Sequence, residues 1–228
     1  MRLLTEQLRA APCALSIQDY VNAILHGDCC FIMRRLPANS IDLVLTDPPY
    51  LINYRPRDGR SIAGDRNNNW LVPAFAEAYR VLKPGGLCIS FYGWSRAESY
   101  LAAWRQAGFR PEGHIVWIKS YPSSSGLVES RHEQAYLLGK GFPRRPLSPI
   151  SDVQNWHYTG NRLHPTQKPV RALLPLVQAF SRPGEIILDP FCGSGSVPLA
   201  AKMSGRRYIG IELRQDYCEI ARQRLARK

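Results

Sequence analysis

The sequence predicts an α/β fold, with a mostly parallel central sheet and helices on both faces. Short, nearly continuous apolar runs such as Ile41-Asp42-Leu43-Val44-Leu45 suit strands buried on both sides. They alternate with longer segments whose apolar residues recur at helical spacing, and the runs end in loops rich in Gly, Pro or Asp. At 228 residues, the chain suits one domain spanning 1–228 and can bury a core of its own.

Taken in order, a lead-in ends in a strand at Ala23 to Leu25 and a turn at Gly27-Asp28, with a helix expected near Phe31 to Leu36. The strand from Ile41 stops at Pro48. Residues 51–69 are polar, basic and rich in Asn, Gly and Arg, which predicts a mobile loop. A helix follows from Trp70 to Leu82, stopped by Lys83-Pro84-Gly85-Gly86, then a strand from Leu87 to Tyr92 and a helix capped by Ser95 and ending at Ala107. Strands near Gly113 to Lys119 and Gln134 to Leu138 flank a serine-rich loop. The proline-rich, basic stretch 139–163 reads as a small insert outside the core. A helix from Pro169 to Phe180, a strand at Glu185 to Leu188, a helix from Ser194 to Met203, a strand at Arg207 to Ile211 and a closing helix from Gln215 complete the pattern.

Lys and Arg total 30 against 18 Asp and Glu, and the net charge of +12 favours a polyanionic partner, most commonly nucleic acid. The six cysteines form no CxxC pair and read as reduced packing residues. The histidines share no metal-ligand spacing with Cys or carboxylates, so no metal is expected. No secretion signal or membrane-length apolar run is present in the sequence, which points to the cytoplasm and the nucleoid.

Two loops carry chemistry. Asp47-Pro48-Pro49-Tyr50 lies at the carboxyl end of its strand, where open α/β sheets bind ligands. Two prolines fix two φ angles and donate no N–H, so the turn is stiff and can aim acceptors outward. An exocyclic amine on a nucleobase is a poor nucleophile, because its lone pair is delocalised into the ring. The Asp47 carboxylate and the Pro48 carbonyl can each accept one of its N–H bonds and hold that lone pair towards a methyl donor. Tyr50 offers a flat face for an extruded base. A plain strand-ending turn capped by Asp would have the same local sequence.

The second loop, Asp189-Pro190-Phe191-Cys192-Gly193-Ser194-Gly195-Ser196, joins a strand to a helix. Its glycines allow backbone to approach a ligand, and Glu212, ending the next strand, can take ribose hydroxyls. A dinucleotide site or a merely tight turn predicts this second pattern nearly as well.

Taken together and in this order, the two loops resemble the circularly permuted β class of bacterial and phage DNA amino-methyltransferases, in which the catalytic loop precedes the cofactor loop. Gly27-Asp28, Lys83-Pro84-Gly85-Gly86, His132-Glu133 and His164-Pro165-Thr166-Gln167-Lys168-Pro169 extend the likeness over most of the chain. The resemblance implies a Rossmann-like methyltransferase fold with permuted motif order, S-adenosylmethionine as cofactor and adenine N6 in double-stranded DNA as target, reached by base flipping. N4 of cytosine is the alternative, since both amines need the same acceptors, and a non-catalytic DNA-binding relative is a further one. The resemblance further implies that Asp47, Pro48, Pro49 and Tyr50 are catalytic, with Asp47 also at the cofactor, that the loop 51–69 contacts DNA and that 139–163 is a small target-recognition insert. It places Asp28 at the cofactor adenine, Asp189 and Phe191 with Cys192, Gly193, Ser194 and Gly195 around its pocket, and Glu212 at its ribose. His164, Thr166, Gln167 and Lys168 close over the methionine part, with Lys168 or a backbone group near the carboxylate. Related enzymes are often homodimers, and some work beside a cognate restriction endonuclease.

For DNA, Arg55, Arg57, Arg60 and Arg66 after Tyr50, and Arg144, Arg145 and Arg162 in the insert, are the expected phosphate and base contacts. Trp94, Trp104 and Trp117 fall in helix or strand patterns and are expected in the core. Arg222, Arg224, Arg227 and Lys228 read as a solvated helix face.

Overall fold

A computed structural model describes residues 16–53, 64–124, 126–146, 148–158, 160 and 163–227. The eight strands in chain order are β1 (Ala23–His26), β2 (Ile41–Thr46), β3 (Leu82–Phe91), β4 (Arg110–Ile118), β5 (His132–Gly139), β6 (Val153–Asn155), β7 (Ile186–Asp189) and β8 (Arg207–Glu212). The helices are α1 (Cys29–Met33), α2 (Leu71–Val81), α3 (Ala97–Ala107), α4 (Val170–Phe180), α5 (Ser196–Met203) and α6 (Gln215–Ala226).

The strands form one sheet in the order β1-β8-β7-β2-β3-β5-β4-β6. Pairing is parallel from β1 to β3, antiparallel for β3 with β5 and β5 with β4, and parallel again for β4 with β6. Strand side chains alternate between two cores, as a period of two requires. Val44, Cys88, Leu138, Leu188 and Ile209 pack with α1, α2 and α3, whereas Leu43, Leu45, Ile89, Phe91 and Ile187 pack with α4 and α5. A third cluster, of Ile24, Cys218, Ala221 and Leu225, seats α6. Both faces of the sheet are therefore covered, and its central strands β2 and β7 are nearly continuous apolar runs.

Several boundaries differ from the sequence expectation for identifiable reasons. Helix α1 starts at Cys29 because the Asp28 carboxylate caps it, accepting from the Phe31 N–H at 2.9 Å. Lys83-Pro84-Gly85-Gly86 does not separate helix from strand. It lies inside β3 as a bulge opposite Ile41 to Leu43, with Lys83 paired to Asp42 at 2.5 Å. Part of the stretch read as an insert belongs to the sheet. Val153–Asn155 extends it as β6 beside β4, and Ile150 and Trp156 pack against the core.

The carboxyl end of α2 is tied by Lys140, whose ammonium donates to the Tyr79 and Leu82 carbonyls at 2.7 Å each and to Asn39 Oδ1 at 2.8 Å. Replacing Lys140 with Met should lower stability by about 1 to 3 kcal/mol, because those acceptors lose a charged donor. Urea denaturation of both proteins measures the difference, and an unchanged midpoint would show that solvent serves them equally well.

Candidate active site

The site forms where β2 and β7 leave the sheet side by side. Leu43 pairs with Ile187 and Val44 with Leu188, so the loops after both strands emerge at the same edge although well over a hundred residues separate them. The Thr46 hydroxyl donates to Asp189 Oδ1 at 3.0 Å, and the Phe191 N–H donates to the same oxygen at 3.1 Å. Burial pushes the Asp189 carboxyl up to about 8, against the pull of these two donors.

On the β7 side, Glu212 at the end of β8 holds the glycine loop. Its Oε2 accepts from the Gly193 N–H at 2.9 Å, and its Oε1 from the Arg214 N–H at 2.8 Å. Burial raises its carboxyl, and these backbone donors work against the rise. Gly195 sits at φ +80°, and a Cβ there would stand 2.9 Å from that of Ala221 in α6, so both its conformation and its packing require glycine. From α6, Arg224 donates to the Ser194 carbonyl at 2.7 Å and to the hydroxyls of Ser194 and Ser196. The segment from His164 lies across this loop. A Cβ on Gly193 would stand 3.4 Å from the His164 ring, which packs on Tyr217 with centroids 4.4 Å apart. Thr166 meets His164 Nδ1 through its N–H and its hydroxyl, and Gln167 Oε1 accepts from the Leu163 N–H.

On the β2 side, the Tyr100 hydroxyl donates to the Pro49 carbonyl. Among the described residues no donor reaches the Pro48 carbonyl or the buried Asp47 Oδ1. The other Asp47 oxygen, Oδ2, accepts from Lys168 Nζ at 2.6 Å. Lys168 also lies 3.9 Å from Glu133 Oε2 and over the rings of Tyr50 and Phe91, 5.2 and 5.0 Å from their centroids. Glu133 accepts from Lys119 Nζ at 2.5 Å and from the Tyr50 hydroxyl at 3.3 Å. Burial raises the Asp47 carboxyl, and the Lys168 ammonium only partly offsets this. Glu133 is buried too, but the ammonium groups of Lys168 and Lys119 outweigh burial and hold it below the usual carboxylate range. The result is a desolvated cluster of two carboxylates and two ammonium groups with one acceptor oxygen left over.

One cavity of about 850 Å³ joins the two sides. Its walls include Asp28, Asp47, Pro48, Pro49, Tyr50, His164, Thr166, Gln167, Lys168, Asp189, Phe191, Cys192, Gly193, Ser194 and Glu212, so the structure brings the catalytic and cofactor candidates together, while Gly195 supports the loop from beneath. Lys168, which the resemblance sets beside the methionine part of a cofactor, lines the cavity and ion-pairs with Asp47. Trp94, expected in the core, is 70% exposed and lines the cavity, whereas Trp104 and Trp117 are fully buried. Arg222 and Arg224 are no solvated face, since the first donates to the Ile24 carbonyl and the second braces the glycine loop.

Of the candidate DNA contacts, Arg66 is exposed beside the cavity residues Gly64 and Asp65. Arg144 pairs with Glu185 at the amino end of β7, on the opposite edge of the sheet, and Arg145 adjoins it, exposed. Arg55, Arg57, Arg60 and Arg162 lie outside the described residues. Lys119 was missed as a site residue, and Glu133 was noted only as part of a motif. Both sit at the ligand edge because β4 ends there and the antiparallel β5 begins there. Among the described residues, no three His, Cys, Asp or Glu side chains are placed to hold a metal ion, and no helix is long and apolar enough to cross a membrane.

The family model described as DNA methylase matches residues 41–223. The chain is 52% identical over 206 residues to YubD of Escherichia coli (strain K12), a protein named as a methylase, covering 90% of this chain and 91% of that one. It is 30% identical over 241 residues to the DNA adenine methyltransferase YhdJ of the same organism, covering 89% and 82% of the two chains. Among solved structures, the M1.HpyAVI–SAM complex superposes with a TM-score of 0.72 at 24% identity, over 90% of this chain and 99% of that one. With most of its length matched by that model and a close relative aligned nearly end to end, this chain belongs to the DNA methylase family.

Proposed function

We propose that this protein transfers a methyl group from S-adenosylmethionine to N6 of adenine in double-stranded DNA. One observation carries the reading: the buried Asp47 Oδ1 and the Pro48 carbonyl, which no donor reaches among the described residues, lie on the same cavity as the glycine loop and Glu212. The residues present fit the cofactor. A cavity of about 850 Å³ falls within the range used by ligands of this size, with carboxylates at Asp28 and Glu212 for amino and hydroxyl groups and the Phe191 ring on the wall. When bound, the cofactor supplies an electrophilic methyl group.

The protein's part is to make the amine a nucleophile. Asp47 Oδ1 and the Pro48 carbonyl accept the two N–H bonds, which draws the nitrogen lone pair out of the ring and towards the donor. The Asp47 carboxylate would stabilise the positive charge that grows on nitrogen as it takes the methyl group, and would accept the proton that nitrogen then gives up, passing it to solvent. This needs Asp47 ionised, although burial opposes it, and Lys168 on the other oxygen supplies that bias. Tyr50, held by Glu133, and Trp94, exposed on the same wall, present aromatic surface to an extruded base. An adenine target is supported by the likeness to YhdJ, a DNA adenine methyltransferase. The net charge of +12 and Arg66 at the cavity rim support binding of the DNA backbone.

Asp47→Ala should reduce kcat by about 100-fold or more while calorimetry still records cofactor binding. Normal turnover by the variant would remove the basis of the mechanism. Sequencing DNA from expressing cells with base-resolved detection identifies both product and site, and N4-methylcytosine there would replace adenine as the target.

The pH profile tests Lys168. Activity should fall as acid protonates Asp47, and Lys168→Met, by removing the ammonium, should move that acid limb to higher pH. A limb that stays in place would mean that Lys168 does not set the charge on Asp47.

A further inference from the structure

The hairpin joining β4 to β5 ends in an apolar tip whose exposure the core does not explain. Leu127 is fully exposed and Val128 is 76% exposed. Below the tip, the turn is tied by backbone hydrogen bonds from Gly126 N–H to the Val128 carbonyl (3.2 Å), Ser130 N–H to the Ser124 carbonyl (2.9 Å) and Ser123 N–H to the Ser130 carbonyl (2.9 Å). Its root is part of the cavity wall, through Tyr121, Pro122, Ser123, Ser124 and Ser130. Lys119 Nζ donates both to Ser123 Oγ at 3.1 Å and to Glu133 at 2.5 Å, and Glu133 in turn holds the Tyr50 hydroxyl. The apolar tip and the turn that would receive a base are therefore fixed to each other through a short chain of hydrogen bonds.

We propose that Leu127 and Val128 form a wedge that enters the DNA stack at the position vacated by the flipped target base. The wedge rests on the DNA methyltransferase reading above. Two aliphatic side chains match the size of one base step, and apolar side chains inserted between bases are an established means of holding a duplex open. The same pair is far too small for a stable protein interface, which buries about 1,200 to 2,000 Å². Charge agrees, because the one acid next to the tip, Glu129, is paired to Arg131 at 2.8 Å, so no uncompensated carboxylate faces the phosphates. Filling the gap offsets part of the unstacking cost, and the wedge should matter only when the target begins inside an intact stack.

The test uses the full chain and two oligonucleotide duplexes carrying the mapped site, one with the target base normally paired and one with it opposite an abasic position. The double variant Leu127→Ser, Val128→Ser should lose about tenfold or more in methylation rate on the paired duplex and stay close to wild type on the abasic one. A Leu127→Met, Val128→Ile variant should restore the paired rate. Equal loss on both duplexes, or loss on neither, would overturn the wedge while leaving the methyltransferase reading intact. So would a change from dimer to monomer in sedimentation that accompanies equal loss, since a second copy would then be what covers the tip. A wild-type chain that methylates neither duplex would overturn both.

Discussion

The parallel contact between β2 and β7 is the constraint on which the rest of the molecule depends. It sets the loop that presents Asp47 beside the glycine loop that Glu212 holds, and it places Thr46 within hydrogen-bonding reach of Asp189. Neither loop alone has a defined chemistry. A proline-stiffened turn offers acceptors but no donor of a methyl group, and a glycine loop with a distal acid would suit several nucleotides. Adjacent carboxyl ends in one sheet turn two weak features into a single cavity.

Electrostatics at this edge work by offsetting, not by simple exposure. Asp47 is buried deeply enough that its charge is disfavoured, yet an acceptor for an amine must carry that charge. Lys168 occupies one oxygen and leaves the other, and Glu133 and Lys119 extend the arrangement to Tyr50. Each cation in the cluster has a carboxylate within contact distance, so the basic character of the whole protein is not spent at the reacting atoms.

The fold class, the strand sequence and the two loops were legible from the chain, because a buried parallel strand leaves a continuous apolar run and a loop at its end leaves Pro, Gly and Asp. Boundaries shifted where a side chain decided them, as Asp28 does for α1, or where a bulge absorbed a motif that looks like a helix stop, as at Gly85-Gly86. Val153–Asn155 was invisible because three residues give no period, and only the neighbour β4 makes them a strand. The Lys168–Asp47 pair was not readable because its partners lie on opposite sides of the chain's long central stretch. Trp94 was misjudged because helical spacing says nothing about which helices sit at a cavity mouth. Arg224 was misjudged for the converse reason, since a basic residue near a helix end is usually solvated and this one meets a loop that only the tertiary fold brings there.

The permuted order has a consequence for how the molecule comes to exist. On the ribosome, β2 and its acid emerge long before β7 and before the lysine that neutralises Asp47, 121 residues downstream. Until that later half is made, the central strand lacks one of its two neighbours and its acid must stay hydrated. Native pairing of the sheet's middle is thus postponed to the end of synthesis, a high-contact-order topology in which the first half has to wait for the second.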